Sequence, residues 1–304
     1  MLHFSAISDK NYLVFGLTLY ESLCKHCTEP FTLHYLALDN EVGEAFCNLP
    51  NVTVYDLETI EKQPLFDVLK KNNPEPTNVD YKGQAPFHWA LASFFTYYLL
   101  DCVNLPECLY CDTDIFFYRN PGEIFRSVDD YSIGLVTHKH IDKNDEISVG
   151  YFNVGVIYFR NDQDGMACLK FWKRVVADKD TPFFAAYGQC GDQAYLHIFE
   201  YLVGEESIKV LDLDIGHGAP WNFAHCQIID GNITWNGQFV TGEEVVTQPL
   251  VFNHFSHFRL KCPSERYQID FDGEWGNILP NPGITEAYDD YFEACMTTKE
   301  KYEL

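Results

Sequence analysis

The sequence predicts an α/β protein built on a mostly parallel central sheet, with helices on both faces and a short antiparallel element. Two observations carry that expectation. Between residues 2 and 57, short apolar runs alternate with helix-period segments in a βαβαβ order, which implies parallel strands joined by right-handed crossovers. Hydrophobic residues make up 46% of the 304-residue chain and aromatic ones 16%, enough to bury a sizeable core.

The elements follow in order. Leu2 to Ile7 reads as a strand, and residues 11–26 place Leu13, Leu17, Tyr20 and Leu23 at helical spacing. FTLHYLALD and NVTVYDL are further strands on either side of VGEAFCNL. Residues 58–85 are polar and read as a loop or small insertion, after which Pro86 opens an apolar helix leading to the strand LYC. YSIGLVTH and YFNVGVIYFRN are strands flanking the charged segment 138–149, a candidate lid. Helices are expected near 163–178 and 191–202, then IKVLDLD, the hairpin-like QIIDGNITWNGQFVTG and the strand LVFNHF. From residue 261 the chain is acidic and interrupted by proline and glycine, which suggests a C-terminal wrap or short helix.

A formal charge of −24 argues against nucleic acid or an anionic membrane surface as partner, because both would be repelled. A negative protein still accommodates a negative nucleotide when a divalent cation sits between them. No apolar run is long enough to span a membrane, and the start MLHFSAISDK lacks the features of a signal peptide. Eleven cysteines, an odd number, fit reduced thiols and a cytoplasmic setting. The pair Cys108/Cys111 lies on a predicted strand, where residues three apart face opposite ways, so a zinc site is not expected.

The candidate chemistry lies in ECLYCDTDIFFY, where Asp112 and Asp114 close an apolar strand. Burying carboxylates is costly without a compensating cation. The D-x-D pattern itself is uninformative, since it also occurs at 162/164, 178/180, 212/214 and 270/272. Only 112/114 and 212/214 directly follow apolar strands, at the carboxyl edge where open α/β sheets bind ligands. A continuing strand would aim Asp112 and Asp114 the same way and suit a metal bridging to phosphate oxygens; for 212/214 a turn is the simpler reading.

Six motifs in order then make the chain resemble a GT-A fold nucleotide-sugar glycosyltransferase of the family that contains glycogenin and the lipopolysaccharide galactosyltransferases, glycosyltransferase family 8. They are AISDKNY, LYCDTDIFFYRNPGEIF, YFNVGVIYF, GDQAYL, APWNFAH and FNHFSHF. The resemblance implies a GT-A domain over residues 1–260, with a nucleotide-binding half (1–115) and a donor-sugar and acceptor half (116–260), and an appendage over 261–304. It implies that Asp112, Asp114 and His254 hold Mn²⁺ or Mg²⁺, manganese being favoured by the imidazole. Tyr12 would stack on the base and Asp9 accept from it, within a nucleotide site that also draws on Ala6, Lys82, His88 and Thr113. Asn153, Asp192 and Gln193 would contact the donor sugar, and Arg259 or Lys261 the diphosphate. Trp221, Asn222 and His257 are acceptor-side candidates, although a packing role is the simpler reading of Trp221 and Asn222.

The chain departs from the family pattern at several points. Ala6 and Asp9 are separated by two residues instead of one. The final H-x-x-G reads His254-Phe-Ser-His257, the expected lysine falls on Leu260, and G-D-Q-D has become GDQA. The resemblance implies transfer from a nucleotide-diphosphate sugar, with UDP as the expected nucleotide, to a carbohydrate or other hydroxyl, with retention. The alternatives are inversion with Asp192 as base, a sugar-nucleotide nucleotidyltransferase, or a non-catalytic relative.

Overall fold

The computed structural model describes residues 1–72, 86–139, 149–178, 192–235, 245–260, 266–269 and 283–304. Its centre is a seven-stranded sheet in the order β3-β2-β1-β4-β7-β6-β8. The strands are β1 (Leu2–Ser8), β2 (Phe31–Ala37), β3 (Val52–Asp56), β4 (Glu107–Cys111), β6 (Ile133–Thr137), β7 (Phe152–Arg160) and β8 (Ile208–Val210). Strand β7 alone runs against its neighbours β4 and β6; the remaining pairings are parallel. The expected mostly parallel sheet is therefore present.

Helices cover both faces. Helices α1 (Leu13–His26) and α2 (Asn40–Phe46) pack with Phe4, Leu33, Leu109 and Cys111 on one side. Helices α3 (Leu57–Glu61), α4 (Phe66–Asn72), α5 (Pro86–Asp101) and α7 (Gln163–Ala177) lie on the other, where Leu36, Cys108, Ile157 and Phe159 meet Phe94, Leu169 and Trp172. Cys108 and Cys111 thus enter opposite cores, as period-two alternation requires. Asp162 caps α7 by accepting from the Gly165 amide, the ordinary use of an aspartate before a helix. Helix α6 (Gly122–Ser127) follows the second strand of the D-x-D region, and the expected helix near 191–202 is a 3-10 turn, Gln193–Ile198, running into α8 (Phe199–Val203).

A second sheet, β10-β11-β12-β5 with β9 beside β12, stands next to the first. It comprises β5 (Ile115–Phe117), β9 (Gly216–Gly218), β10 (Cys226–Ile229), β11 (Asn232–Trp235) and β12 (Val246–His254). Asp230 and Gly231 turn the β10–β11 hairpin with φ of 51° and 70°, the left-handed pair that a two-residue Asp-Gly turn supplies. β13 (Phe258–Leu260) and β14 (Tyr267–Ile269) form a small ribbon.

The C-terminal helix α9 (Ile284–Tyr302) is longer than the wrap or short helix expected. It docks on α1, where Thr18 and Thr298 share a buried hydrogen bond of 3.1 Å. Its aromatic side chains close the core of the second sheet: Tyr291 stacks on Phe255 at 4.1 Å and 5°, and Tyr288 meets Phe255 and Phe258. Truncating the fully buried Tyr291 to alanine is expected to cost about 3–5 kcal/mol, read as a lower urea midpoint. Phe292→Ala, at a partly buried position beside the ribbon, is expected to cost clearly less.

Candidate active site

The site is built where the two sheets meet. Strand β4 ends at Cys111; Asp112 still donates its amide to Gly155 O (2.9 Å). The chain then turns through Thr113 and Asp114 before β5 begins at Ile115, whose amide returns to Asp112 O (3.1 Å). The two carboxylates therefore converge through a turn, and not through the strand alternation that the spacing suggested. Strand β12 runs antiparallel to β5 with His254 directly opposite Ile115, and Phe255 donates its amide to Asp114 O (2.8 Å). Backbone pairing alone thus brings a residue from late in the chain against the D-x-D turn.

The result is a three-residue cluster. His254 Nε2 lies 3.0 Å from Asp114 Oδ1 and 3.7 Å from Asp112 Oδ2. One ligand atom from each of the three lies within 4.8 Å of the others. The His254 side chain is 8% exposed, Asp114 17% and Asp112 35%. Burial pushes the Asp112 carboxyl up, and the neighbouring Asp114 charge adds to this despite His254. Burial would also raise Asp114, but the His254 imidazole outweighs it and holds that carboxyl below its ordinary value. Burial would lower His254, but Asp114 and then Asp112 outweigh it and raise the imidazole. Two carboxylate oxygens and one imidazole nitrogen suit a divalent ion such as Mn²⁺, with Mg²⁺ less suited to the nitrogen.

Four neighbours shape this cluster. Tyr110 donates its hydroxyl to Asp112 Oδ1 (2.9 Å), and the charges of both Asp112 and Asp192 bear on that hydroxyl. Gly155 leaves the room that His254 occupies: a Cβ there would sit 2.4 Å from His254 Nδ1 and 2.7 Å from Asn153 Oδ1. That close approach is the physical reason for glycine in the F-N-x-G motif. Asn153 is buried and bonded to Gly155, His138 and Gln193. The Trp221 ring meets His254 edge-on at 5.1 Å. Asp192 heads the 3-10 turn without a side-chain capping bond, although its backbone oxygen holds Trp172 Nε1 at 2.8 Å.

On the nucleotide side, Tyr12 is partly buried and accepts from Arg259 Nη1 at 3.3 Å. Burial, and then the Asp114 charge, raise its hydroxyl. Asp9 caps the 3-10 turn before α1, its two oxygens accepting from the Asn11 amide and side chain. Ala6 is fully buried, with its side chain in the core. Thr113 is buried in the turn. His88 lies in the first turn of α5, and Lys82 and Lys261 fall outside the described residues, as does most of the candidate lid. His257 is exposed and takes φ of 63° in the β12–β13 turn. The family pattern has glycine there, the residue that adopts this conformation without steric cost. Asn222 is fully buried with its amide committed to Ala219 N–H and His138 O, so it packs the loop and presents nothing to an acceptor.

One network escaped the sequence reading. The Asp212 carboxylate, in the second D-x-D pair, takes hydrogen bonds from the Thr137 amide and hydroxyl and from His217. Lys139 Nζ lies 3.5 Å from Asp212 and 3.9 Å from the centre of the Trp235 ring. The Lys139 charge, with the hydrogen bonds from His217 and Thr137, holds Asp212 ionised despite its burial. The only sequence signal was an aspartate after an apolar strand, which does not reveal partners 75 residues away.

The ion pair in the metal-free protein sets a pH dependence. His254 lies above its ordinary 6.5, so its protonated form stabilises the fold below that pH, and this contribution fades as pH rises through the raised value. Asp114 lies below its ordinary 3.8, so its ionised form stabilises above that pH and fades as pH falls through the lowered value. In chelator, Asp114→Asn is therefore expected to cost about 1–3 kcal/mol between roughly pH 4 and 6.5, with urea midpoints converging on the parent in mild alkali. Gly155→Ala is expected to lower the ¹⁵N-NMR pKa of His254 by pushing the imidazole from Asp114.

The sequence pattern of Glycosyl transferase family 8 matches residues 3–170, and that of Nucleotide-diphospho-sugar transferase matches residues 107–257. The uncharacterized Bacillus subtilis (strain 168) protein YfnF is 28% identical over 201 residues, and the chain spans 62% of its length, with 62% of the chain aligned. YfnD of the same organism, also uncharacterized, is 24% identical over 273 residues, or 86% of this chain and 80% of YfnD. Among solved structures, galactosyltransferase LgtC in complex with donor and acceptor sugar analogs has a TM-score of 0.56 at 15% identity, covering 97% of this chain and 96% of LgtC. Apo mouse xyloside xylosyltransferase 1 has a TM-score of 0.54 at 16% identity, covering 83% and 97%. Those structures share the GT-A fold with this one. With the first pattern matching more than half of its length, the chain belongs to glycosyl transferase family 8.

Proposed function

We propose that this nucleotide-sugar glycosyltransferase depends on a divalent metal, Mn²⁺ before Mg²⁺, and moves a sugar from a UDP-sugar to a carbohydrate or other hydroxyl acceptor with retention. The observation that carries the reading is the Asp112–Asp114–His254 cluster at the carboxyl edge of a mostly parallel sheet, where an anionic ligand would otherwise face two carboxylates. A hexose is the favoured sugar, since LgtC is a galactosyltransferase. A metal held by these three side chains would supply charge neutralisation for a leaving diphosphate.

The chain's own residues do the rest. Tyr12 offers a partly buried ring to the base, with Arg259 held against it as a cation for the diphosphate. The nucleotide half is residues 1–115 and the sugar and acceptor half 116–260, with 261–304 as appendage. Asn153, Gln193 and Asp192 orient the donor sugar beside the cluster. In the reaction the anomeric C–O bond to the diphosphate breaks and a bond to the acceptor oxygen forms. The acceptor proton passes to the departing phosphate oxygen on the same face, which gives retention without a carboxylate nucleophile. Inversion would require a base on the opposite face, a part only Asp192 among the expected site residues could play. The buried Trp221 beside His254 keeps water from one side of the cluster.

Reduced thiols suit a cytoplasmic setting: the nine described cysteines are unpaired. Among the described residues no helix is long and apolar enough to cross a membrane.

The test is a calorimetric and hydrolysis screen of UDP-, GDP- and dTDP-sugars with Mn²⁺, with Mg²⁺ and with chelator. One UDP-hexose is expected to bind only with metal and to hydrolyse slowly, and Asp114→Ala is expected to lose at least tenfold in metal-dependent donor affinity. Equal binding in chelator would refute the metal's role, and preference for another base would refute the UDP assignment.

A further inference from the structure

Beside the cluster runs a hydrogen-bonded relay whose polarity is set from one end. The Gly155 backbone N–H can only donate, and it donates to Asn153 Oδ1 at 2.8 Å. Asn153 Nδ2 is therefore the end of the amide that faces His138 Nε2 at 3.1 Å and Gln193 Oε1 at 3.2 Å. An NH₂ group can only donate, so both of those atoms must accept. His138 consequently carries its ring proton on Nδ1, and Gln193 turns its oxygen towards Asn153. A flipped Asn153 would set two donors against each other at Gly155 and two acceptors against each other at Gln193, a costly arrangement in an interior.

His138 is fixed at several points. Its amide donates to Tyr151 O at 2.9 Å, and its backbone oxygen accepts from Asn222 Nδ2 at 3.1 Å. Its ring meets Trp221 at 5.1 Å, and the same Trp221 ring meets His254 at 5.1 Å. The imidazole that orients Asn153 is thus locked to the frame that holds the third residue of the cluster.

We infer that His138 is a positioning residue: by accepting from Asn153, it holds that amide in the polarity Gly155 sets, and the amide in turn leaves the N–H₂ of Gln193 facing the bound donor sugar. Gln193 then acts as a hydrogen-bond donor to a sugar oxygen and does not supply a nucleophilic oxygen. This deepens the proposed function and rests on it for the sugar, while the relay itself is a property of the protein alone. It also accounts for Asn222, which carries out its role by holding the His138 backbone.

Two measurements test it. The first needs no substrate: ¹⁵N-NMR of the His138 ring at pH 7, assigned with His138→Gln as reference. Nε2 is expected to resonate as an unprotonated acceptor with the proton on Nδ1. A proton on Nε2 would overturn the inference whether or not any donor turns over.

The second follows turnover of the donor identified above. His138→Phe keeps a ring against Trp221 and removes the acceptor; His138→Gln can restore an acceptor near the Nε2 position. His138→Phe is expected to lower kcat on the order of tenfold or more, with Mn²⁺ affinity and donor KM changed by less than about threefold. His138→Gln is expected to recover kcat to within about threefold of the parent. A kcat for His138→Phe within twofold of the parent, or a His138→Gln no better than His138→Phe, would sink the inference. Inactivity of the parent towards every donor would instead count against the proposed function, leaving the NMR result to decide the relay.

Discussion

Two carboxylates taken out of water need a compensating charge, and the architecture around Asp112 and Asp114 follows from that constraint. Coulomb repulsion and desolvation both act to protonate the pair. A buried imidazole 3.0 Å from Asp114 reverses the balance for one of them, while Asp112 stays raised. Asp114 and His254 thus form an ion pair, and Asp112, with the Tyr110 hydroxyl and a more distant imidazole, is left without full charge compensation. A divalent cation would satisfy both carboxylates and displace the proton from His254. The geometry suits that exchange because the three ligand atoms already converge.

Convergence depends on rigid supports. His254 is carried by β12, which pairs with β5 and β9 and whose continuation is packed by Phe255 against Tyr288 and Tyr291 of α9. The C-terminal helix therefore contributes to the site by fixing the strand that delivers the imidazole. From β9 itself, the Lys139–Asp212–His217 network stacks His217 on Phe252, two residues before His254. A buried ion pair is weak evidence for net stability; here every member has a partner, and the network ties the end of β6 to the loop that precedes β9. Lys139 adopts φ of 52° in doing so, a conformation that costs a non-glycine residue on the order of 1 kcal/mol.

Much of the fold was legible because it rests on local periodicity. The βαβαβ opening, the apolar helix before β4, the strands around Asn153 and the Asp-Gly hairpin all announce themselves within a few residues. The fate of the D-x-D pairs was legible only in part. Asp162 behaves as a helix cap, a local role that local sequence reveals. Asp212 looked like a turn residue, but it is the acceptor at the centre of a buried network. Its partners Thr137, Lys139 and His217 come from two other elements. Asp112 and Asp114 were identified correctly as a convergent pair, but for a geometric reason that does not hold, since a turn and not strand alternation brings them together.

By itself the sequence determined the alternating α/β order, the strongly acidic surface, the strand that ends in Asp112 and the glycine turns. Each of these depends on side-chain period, backbone freedom or charge, properties that a residue carries with it. Tertiary structure alone decided that His254 stands opposite Ile115, that Gly155 yields its side-chain space to the imidazole, and that Asn153 points its nitrogen at His138. It also decided that Asn222 faces inward. These outcomes depend on strand register and on which donors and acceptors meet in the interior, and both are settled only when segments far apart in the chain pack together.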